Sequence, residues 1–65
     1  MDFVYLLLHE NSSEWEDMVI ILTEEDAIKE TINRPNHRVE IFSKNTSGYT
    51  PTYNYYKNGE LIQKR

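Results

Sequence analysis

The sequence predicts a single α+β domain over residues 1–65, in which one short helix packs on one face of a mostly antiparallel five-stranded sheet. Two observations predict this class. One stretch carries a complete set of helix-start signals, and the remaining apolar runs read as strands in the order β-β-α-β-β-β. A third observation, the length of 65 residues, limits the chain to one domain that buries only about 60% of the surface exposed on unfolding.

The first two strands are predicted from apolar runs on either side of a polar connection. Phe3–His9 is apolar at odd and even positions alike, which is typical of a central strand. Residues 11–14 are polar and have the length of a hairpin loop. Residues 15–22 follow and end in a continuous apolar run, so they predict the second strand.

The helix is predicted at about residues 24–33. Thr23 is a favoured N-cap residue, and Asp26 stands three positions later, as in a weak capping box. Acidic residues fill the first turn, where the helix dipole favours negative charge. Pro35 ends the helix because the residue before a proline is driven out of helical geometry. The apolar stripe at helical spacing consists of Ala27, Ile28, Thr31 and Ile32.

The last three strands are predicted over residues 38–43, 49–57 and 60–64. In the first of these, alternation places Val39 and Ile41 on one face of the sheet. A right-handed crossover after the second strand leaves the first strand in the middle, which predicts the spatial order 2-1-3-4-5.

The dipeptide Asn58-Gly59 is the preferred two-residue hairpin loop and fixes the register of the last two strands. The predicted cross-strand pairs run from the turn outwards as Lys57–Glu60, Tyr56–Leu61, Tyr55–Ile62, Asn54–Gln63 and Tyr53–Lys64. Tyr53, Tyr55 and Ile62 are expected on one face, with Tyr56 and Leu61 on the other. Pro51 cannot donate a ladder hydrogen bond, so its part of the strand is expected at an edge or a bulge.

The proportions of helix and sheet predict an uncovered surface. A ten-residue helix is about 15 Å long and about 10 Å wide, whereas five strands span roughly 20 Å. One sheet face is therefore covered incompletely and the other not at all, and exposed apolar patches on small proteins mark interaction sites. We expect a protein partner, either a second copy or another chain, to bind the open sheet face and the last hairpin. The predicted partner-binding residues are Trp15, Phe42, Tyr53, Tyr55, Ile62 and Lys64.

Catalytic, cofactor and metal chemistry is not indicated. There is no cysteine, which excludes thiolate ligands and disulfides. Gly48 and Gly59 are the two glycines, too few for a phosphate-binding loop. His9 and His37 match no ligand spacing and are expected to be separate, solvent-exposed residues. A sheet with one helix also has little depth for the cleft in which a general acid is tuned. The sequence therefore predicts a non-enzymatic protein without a cofactor.

The charge is divided along the chain. Residues 1–33 hold nine acidic residues against Lys29 alone, and residues 34–65 hold six basic residues against Glu40 and Glu60, for a net charge of −4. Neutralisation between neighbouring strands is the favoured interpretation. The alternative is an acidic decoy that presents nucleic-acid-like charge to a basic host protein. Its residues would be Glu14, Glu16, Asp17, Glu24, Glu25 and Asp26.

Nucleic acid and a membrane are two other classes of partner. Aromatic residues on an open sheet beside scattered lysines suit single-stranded nucleic acid, but a net charge of −4 and the lack of a basic run make it an unfavoured partner. No apolar run reaches the roughly 20 residues of a membrane span. The N-terminus does not have the pattern of a signal peptide. A cytoplasmic, non-secreted protein is therefore expected.

The order of motifs supports one resemblance. An apolar strand, an acidic hairpin, a TEEDAI helix start, a VEIF strand and a YNYYKNGELI hairpin follow one another. This order resembles short uncharacterised accessory proteins of large DNA viruses and phages. The resemblance implies a compact viral accessory protein, acting in the host cytoplasm on a host factor or forming a minor component of the virion.

Overall fold

The fold was obtained as a computed structural model, which describes residues 2–10 and 15–63. These residues form five strands, one α-helix and one 3₁₀ turn, which confirms the α+β class and the predicted element order. In chain order, the elements are β1 (Phe3–His9), the 3₁₀ turn (Trp15–Asp17), β2 (Val19–Ile21), α1 (Glu24–Asn33), β3 (His37–Asn45), β4 (Gly48–Lys57) and β5 (Glu60–Gln63).

The five strands form one sheet in the order β2-β1-β3-β4-β5, and every neighbouring pair is antiparallel. This confirms the predicted order. The central strand β1 pairs with β3 so that Leu7 lies opposite Val39 and Tyr5 opposite Ile41. Residues directly opposite one another share a face, so these four side chains point to the same side of the sheet.

The second strand is shorter than its sequence predicts. Residues 15–17 form the 3₁₀ turn, in which the Met18 N–H donates to the Trp15 carbonyl at 3.2 Å, and β2 covers only Val19–Ile21. The expectation of a strand from residue 15 was wrong. Glu16 and Asp17 break the apolar run, and aspartate is depleted in strands because its side chain competes for nearby backbone groups.

The core lies between α1 and one face of the sheet, which we call the helix face. Ala27 and Val39 are fully buried at its centre, and the predicted alternation of Val39 and Ile41 is confirmed. Thr31 is also fully buried and faces the same core from the helix. The buried cluster consists of Tyr5, Leu7, Ile21, Ala27, Val39, Ile41 and Tyr56.

The ends of α1 lie where the sequence places them. Thr23 is extended, at φ −124° and ψ 146°, and its hydroxyl accepts the Asp26 N–H at 3.2 Å. This satisfies one of the free N–H groups of the first turn. At the other end, Arg34 leaves helical geometry at φ −129° and ψ 81°, directly before Pro35. The predicted helix boundaries are confirmed.

Polar contacts hold α1 to the last hairpin. The Tyr56 hydroxyl donates to the Glu24 carboxylate. The Gly59 N–H donates to the Thr31 hydroxyl at 2.9 Å, and a methyl group placed on Gly59 would meet the side chain of Ile32 at 3.0 Å. These contacts hold the helix over β4 and the β4–β5 turn, and β2 lies at the far edge of the sheet.

The final hairpin has the predicted register. Lys57 lies opposite Glu60, Tyr56 opposite Leu61, Tyr55 opposite Ile62 and Asn54 opposite Gln63. Asn58 and Gly59 have φ values of 52° and 80°, as the mirror-image two-residue turn requires. The predicted pair of Tyr53 with Lys64 lies outside the described residues, because Lys64 is beyond them.

A bulge interrupts β4 beside Pro51. Glu40 pairs with Tyr55 and Phe42 pairs with Pro51, so Ile41 alone stands opposite residues 52–54. The Thr52 hydroxyl fills the gap by donating to the Ile41 carbonyl at 2.8 Å. The pairing described for β5 reaches only Asn54, which leaves the Pro51 side of β4 at an edge among the described residues. The predicted position of Pro51 at an edge or bulge is confirmed.

Candidate functional site

The sheet face opposite α1, which we call the open face, carries an apolar hollow. Register pairs Leu6 with Ile20 and Val4 with Phe42, which places all four side chains on this face. With Tyr49 they line a shallow concavity of about 360 Å³. Ile20 is 65% exposed, so this is accessible apolar surface.

The open face continues into a more polar half. Arg38 and Glu40 alternate with the buried residues of β3 and form an ion pair, with Nε 2.7 Å from Oε2. Glu40 lies opposite Tyr55, which lies opposite Ile62 on β5. The open face therefore combines an apolar hollow near β2 and β1 with a partly charged surface towards the hairpin.

The predicted site residues divide between these regions. Phe42, Tyr55 and Ile62 lie on the open face, where all three are partly buried. Trp15 lies in the 3₁₀ turn beside β2 and is 77% exposed. Lys64 falls outside the described residues.

Tyr53 lies in the bulge of β4, where strand alternation does not apply. Its φ is 68°, and it is 64% exposed. The structure therefore gathers Tyr55 and Ile62 as predicted but separates Tyr53 from their regular ladder.

Four residues of the hollow were missed by sequence reasoning. Val4 and Leu6 come from β1, Ile20 from β2 and Tyr49 from β4. The available signal was that β1 is apolar at odd and even positions alike, because one of these two sets of side chains must face away from the helix.

A second surface, which we call the edge groove, lies between α1 and β2. It has a volume of about 680 Å³, and its floor is formed by Leu7, Val19 and Ile21. Val19 is 51% exposed although it stands opposite the buried Leu7. The groove lies where α1, anchored over the hairpin, covers β2 only in part, since Ile21 is buried and Val19 is exposed. Its rim carries Asp17, Asp26, Glu30, Arg34 and His37.

The two histidines form a pair across β1 and β3. His9 lies opposite His37, and their ring centroids are 4.9 Å apart in an edge-to-face arrangement. The expectation of two separate, exposed residues was wrong, because it did not include the strand register. No group of three or more His, Asp or Glu side chains in residues 2–10 and 15–63 is placed to hold a metal ion.

The His37 ring sits in a setting that disfavours its charged form. Its Nδ1 is buried and has no hydrogen-bond partner within the described part of the chain. Desolvation lowers the pKa of His37, and the charges of His9, Arg34 and Lys57 act in the same direction, while Glu30 opposes them. His37 therefore favours the neutral form in the folded protein.

Lys57 links the acidic and basic halves of the chain. Its Nζ lies 3.1 Å from Glu10 and donates to the Pro35 carbonyl at 2.6 Å. The strand order places the acidic-half strands β2 and β1 together, so the two halves of the sheet meet at β1 and β3. Exposed acids remain around the edge groove, on the 3₁₀ turn and in the first turn of α1.

No protein-family model matches the chain, and no curated protein or solved structure gives a significant match. In the part of the chain that the structure describes, no helix is long and apolar enough to cross a membrane.

Proposed function

We propose that this protein is a small non-enzymatic interaction module that binds another protein chain through its open face. The observation that carries the proposal is the apolar hollow of Val4, Leu6, Ile20, Phe42 and Tyr49. A domain of this length draws roughly 3–5 kcal/mol from its own core. Covering exposed apolar surface with a partner stabilises such a domain further.

The chemistry of the open face suits a protein partner better than a small molecule. A small-molecule site is usually a deep pocket with a few convergent polar groups, whereas this hollow is shallow and apolar. Protein interfaces combine an apolar, aromatic centre with a polar rim. Arg38 and Glu40 supply such a rim beside Phe42. A cytoplasmic location and a viral accessory role extend this proposal and rest on sequence pattern alone.

Single-stranded nucleic acid is a second candidate for the same face. Phe42 and Tyr49 offer aromatic surface, and Lys44 lies directly opposite Tyr49. Stacked bases and nearby lysines are the usual means of holding single strands. The net charge of −4 opposes the phosphate contacts that such binding needs.

The acidic decoy is a third candidate and uses different residues. Exposed acids lie on the 3₁₀ turn and at the start of α1, in Glu16, Asp17, Glu24, Glu25 and Asp26. Glu14, which belongs to the same hypothesis, lies outside the described residues. Glu24 is already engaged by the Tyr56 hydroxyl, and Glu25 pairs with Lys29 at 3.8 Å. Such pairing reduces the charge that this surface presents, so the decoy ranks below the open face.

Photo-crosslinking tests the proposal. A photoreactive amino acid replaces Tyr49 in the hollow, and a matched variant carries it at Lys29 on the exposed side of α1. In cells of the source organism, we expect a discrete protein adduct from position 49 and none from position 29. Mass spectrometry then identifies the partner, including a second copy of this chain.

The competing functions give different adducts. Crosslinking of position 49 to nucleic acid, with affinity that falls steeply as salt rises, would establish the second candidate instead. A protein adduct from position 29 alone would favour the acidic surface. Equal labelling from both positions would contradict a specific open-face interaction.

A further inference from the structure

The edge strand β2 exposes apolar side chains on both faces of the sheet. Val19 faces the edge groove and is 51% exposed, while Ile20 faces the open face and is 65% exposed. Within the described residues β1 is the one strand that pairs with β2, so its outer backbone groups form a sheet edge. Such an edge is a template for an added strand.

The two hollows flank this edge, one on each face of the sheet. An added strand projects alternate side chains to opposite faces. One set would enter the edge groove over Leu7, Val19 and Ile21, and the other set would lie beside Ile20 in the apolar hollow. Because Tyr56 and Gly59 hold α1 over the hairpin, the groove is already open in the unbound protein.

The rim of the edge groove sets the charge of the side chains that fit it. Glu30 is neutralised by Arg34, with Nε 2.7 Å from Oε1. Asp17 and Asp26 lie on the same rim and have no ion pair within the described residues. The groove thus presents two uncompensated carboxylates above an apolar floor. Lysine and arginine suit this arrangement because their stems pack on apolar surface while their charged ends reach the rim.

We propose that β2 accepts an extended segment of a partner protein as a sixth strand, in which basic residues alternate with apolar or aromatic residues. The basic side chains enter the edge groove, and the apolar ones cover the hollow of the open face. This inference rests on the proposed function and names its class of partner. A second copy pairing edge to edge would bring a second set of the same aspartates, so like charge opposes that occupant.

Synthetic peptides test the pattern. The probe is a ten-residue peptide in which lysine alternates with valine and phenylalanine. One control replaces lysine with glutamate, and another has the same composition with its lysines in one block. Fluorescence anisotropy at about 0.15 M salt should show the alternating peptide binding at least roughly tenfold tighter than either control.

Amide exchange locates the bound peptide. We expect slowed exchange within Val19–Ile21 when the alternating peptide is bound, because added ladder hydrogen bonds protect an edge. Protection at β5 instead, equal binding of the block peptide, or no binding would overturn the inference. Dimerisation of the free protein through β2 would overturn it as well.

Charge variants test the rim. Neutralising both aspartates, as Asp17→Asn with Asp26→Asn, should weaken peptide binding by roughly threefold to tenfold. The matched control is Glu25→Gln with Glu60→Gln, which makes the same change of charge away from the groove and should alter binding by less than about twofold. If both pairs of substitutions weakened peptide binding equally, the effect would come from the net charge of the protein and not from the rim, and the role assigned to Asp17 and Asp26 would be overturned.

The Val19→Lys variant separates this inference from the proposed function. Val19 lines the edge groove but not the apolar hollow. If the wild-type protein binds no alternating peptide, and a Tyr49 adduct persists in Val19→Lys, strand addition fails and the interaction module stands. Peptide binding that is lost in Val19→Lys, without any Tyr49 adduct in cells, would support strand addition at β2 and would contradict both the open-face module and the covering of the hollow by the added strand.

Discussion

Thr31 joins the helix to the β4–β5 turn by accepting the Gly59 N–H at 2.9 Å. The same hydroxyl donates to the Ile28 carbonyl at 2.7 Å, so its hydrogen-bonding capacity is used in both directions. Thr31 is fully buried. A residue that sequence analysis assigns to an apolar stripe therefore also acts as a polar anchor for the hairpin.

Replacing Thr31 with valine keeps the shape of the side chain and removes this anchor. We expect Thr31→Val to lower the free energy of unfolding by about 1–3 kcal/mol, because the Gly59 N–H loses its partner in a partly buried position. Urea unfolding followed by circular dichroism measures the change.

The Thr31→Ser variant is the matched control. It keeps the hydroxyl and loses one methyl group, which costs about 1 kcal/mol. Amide exchange distinguishes the two variants: the Gly59 amide should exchange faster in Thr31→Val and at close to the wild-type rate in Thr31→Ser. Unchanged exchange at Gly59 in Thr31→Val would contradict the anchoring role.

The fold was largely predictable because its decisive signals are local. The Thr23 cap, the proline after Arg34 and the Asn58-Gly59 turn each act over a few residues and fix an element boundary or a register. By contrast, β2 is shorter than predicted because Glu16 and Asp17 form a turn instead of pairing with β1. Apolar content alone does not decide between a turn and a strand.

The candidate surfaces were less predictable because they depend on contacts between distant residues. The position of α1 over the hairpin follows from two hydrogen bonds: the Tyr56 hydroxyl donates to Glu24, and the Gly59 N–H donates to Thr31. The edge groove is a consequence of that position, so no local sequence pattern shows it. The pairing of His9 with His37 likewise required the register of β1 and β3.

The Tyr56–Glu24 contact predicts a loss of stability at alkaline pH. Burial, followed by the hydrogen bond to Glu24, raises the pKa of Tyr56 to about 12. The unfolded chain releases this proton near pH 10. The contribution of the protonated Tyr56 hydroxyl to stability is therefore fully present below pH 10 and is lost as the pH rises from about 10 to about 12.

Tyr56→Phe measures that contribution. At neutral pH we expect it to cost about 1 kcal/mol for the lost hydrogen bond. Above pH 10, the free energy of unfolding of Tyr56→Phe should fall less steeply than that of the wild type. Part of the slope will remain, because burial also raises the pKa of Tyr5. A double-mutant cycle with Glu24→Ala, which removes the acceptor, should give a coupling of about 1 kcal/mol, and a coupling near zero would contradict the contact.

His37 predicts a loss of stability in acid. Its folded-state pKa lies below the ordinary value of 6.5, mainly through desolvation, so the unfolded chain binds the proton more readily. Stability should therefore fall as the pH drops below about 6.5, with a slope of at most about 1.4 kcal/mol per pH unit from this group. His9, Arg34 and Lys57 strengthen the effect, and Glu30 opposes it.

The His37→Gln variant removes this titration. Chemical unfolding across pH 5–8 should give a flatter stability profile for His37→Gln than for the wild type. His9→Gln removes one of the charges that lower the pKa of His37, so its profile should lie between the two. Parallel profiles for wild type and His37→Gln would show that His37 does not set the acid response.

Tyr53 offers a way to separate stability from binding. It holds a φ of 68° in the bulge of β4, a left-handed conformation that is unfavourable for tyrosine and tolerated by asparagine. Because the side chain is 64% exposed, little packing is lost on replacement. We expect Tyr53→Asn to raise the free energy of unfolding by about 1 kcal/mol.

The control for Tyr53→Asn is the same substitution at Tyr55. Tyr55 is partly buried and paired with both Glu40 and Ile62, so Tyr55→Asn should lower stability by about 1 kcal/mol or more. If the open face binds its partner as proposed, Tyr55→Asn should also weaken the Tyr49 crosslink, whereas Tyr53→Asn should stabilise the fold and leave the crosslink intact. A Tyr53→Asn protein that is more stable but fails to crosslink would show that the strained tyrosine is itself part of the binding surface, which would extend the open face to the bulge.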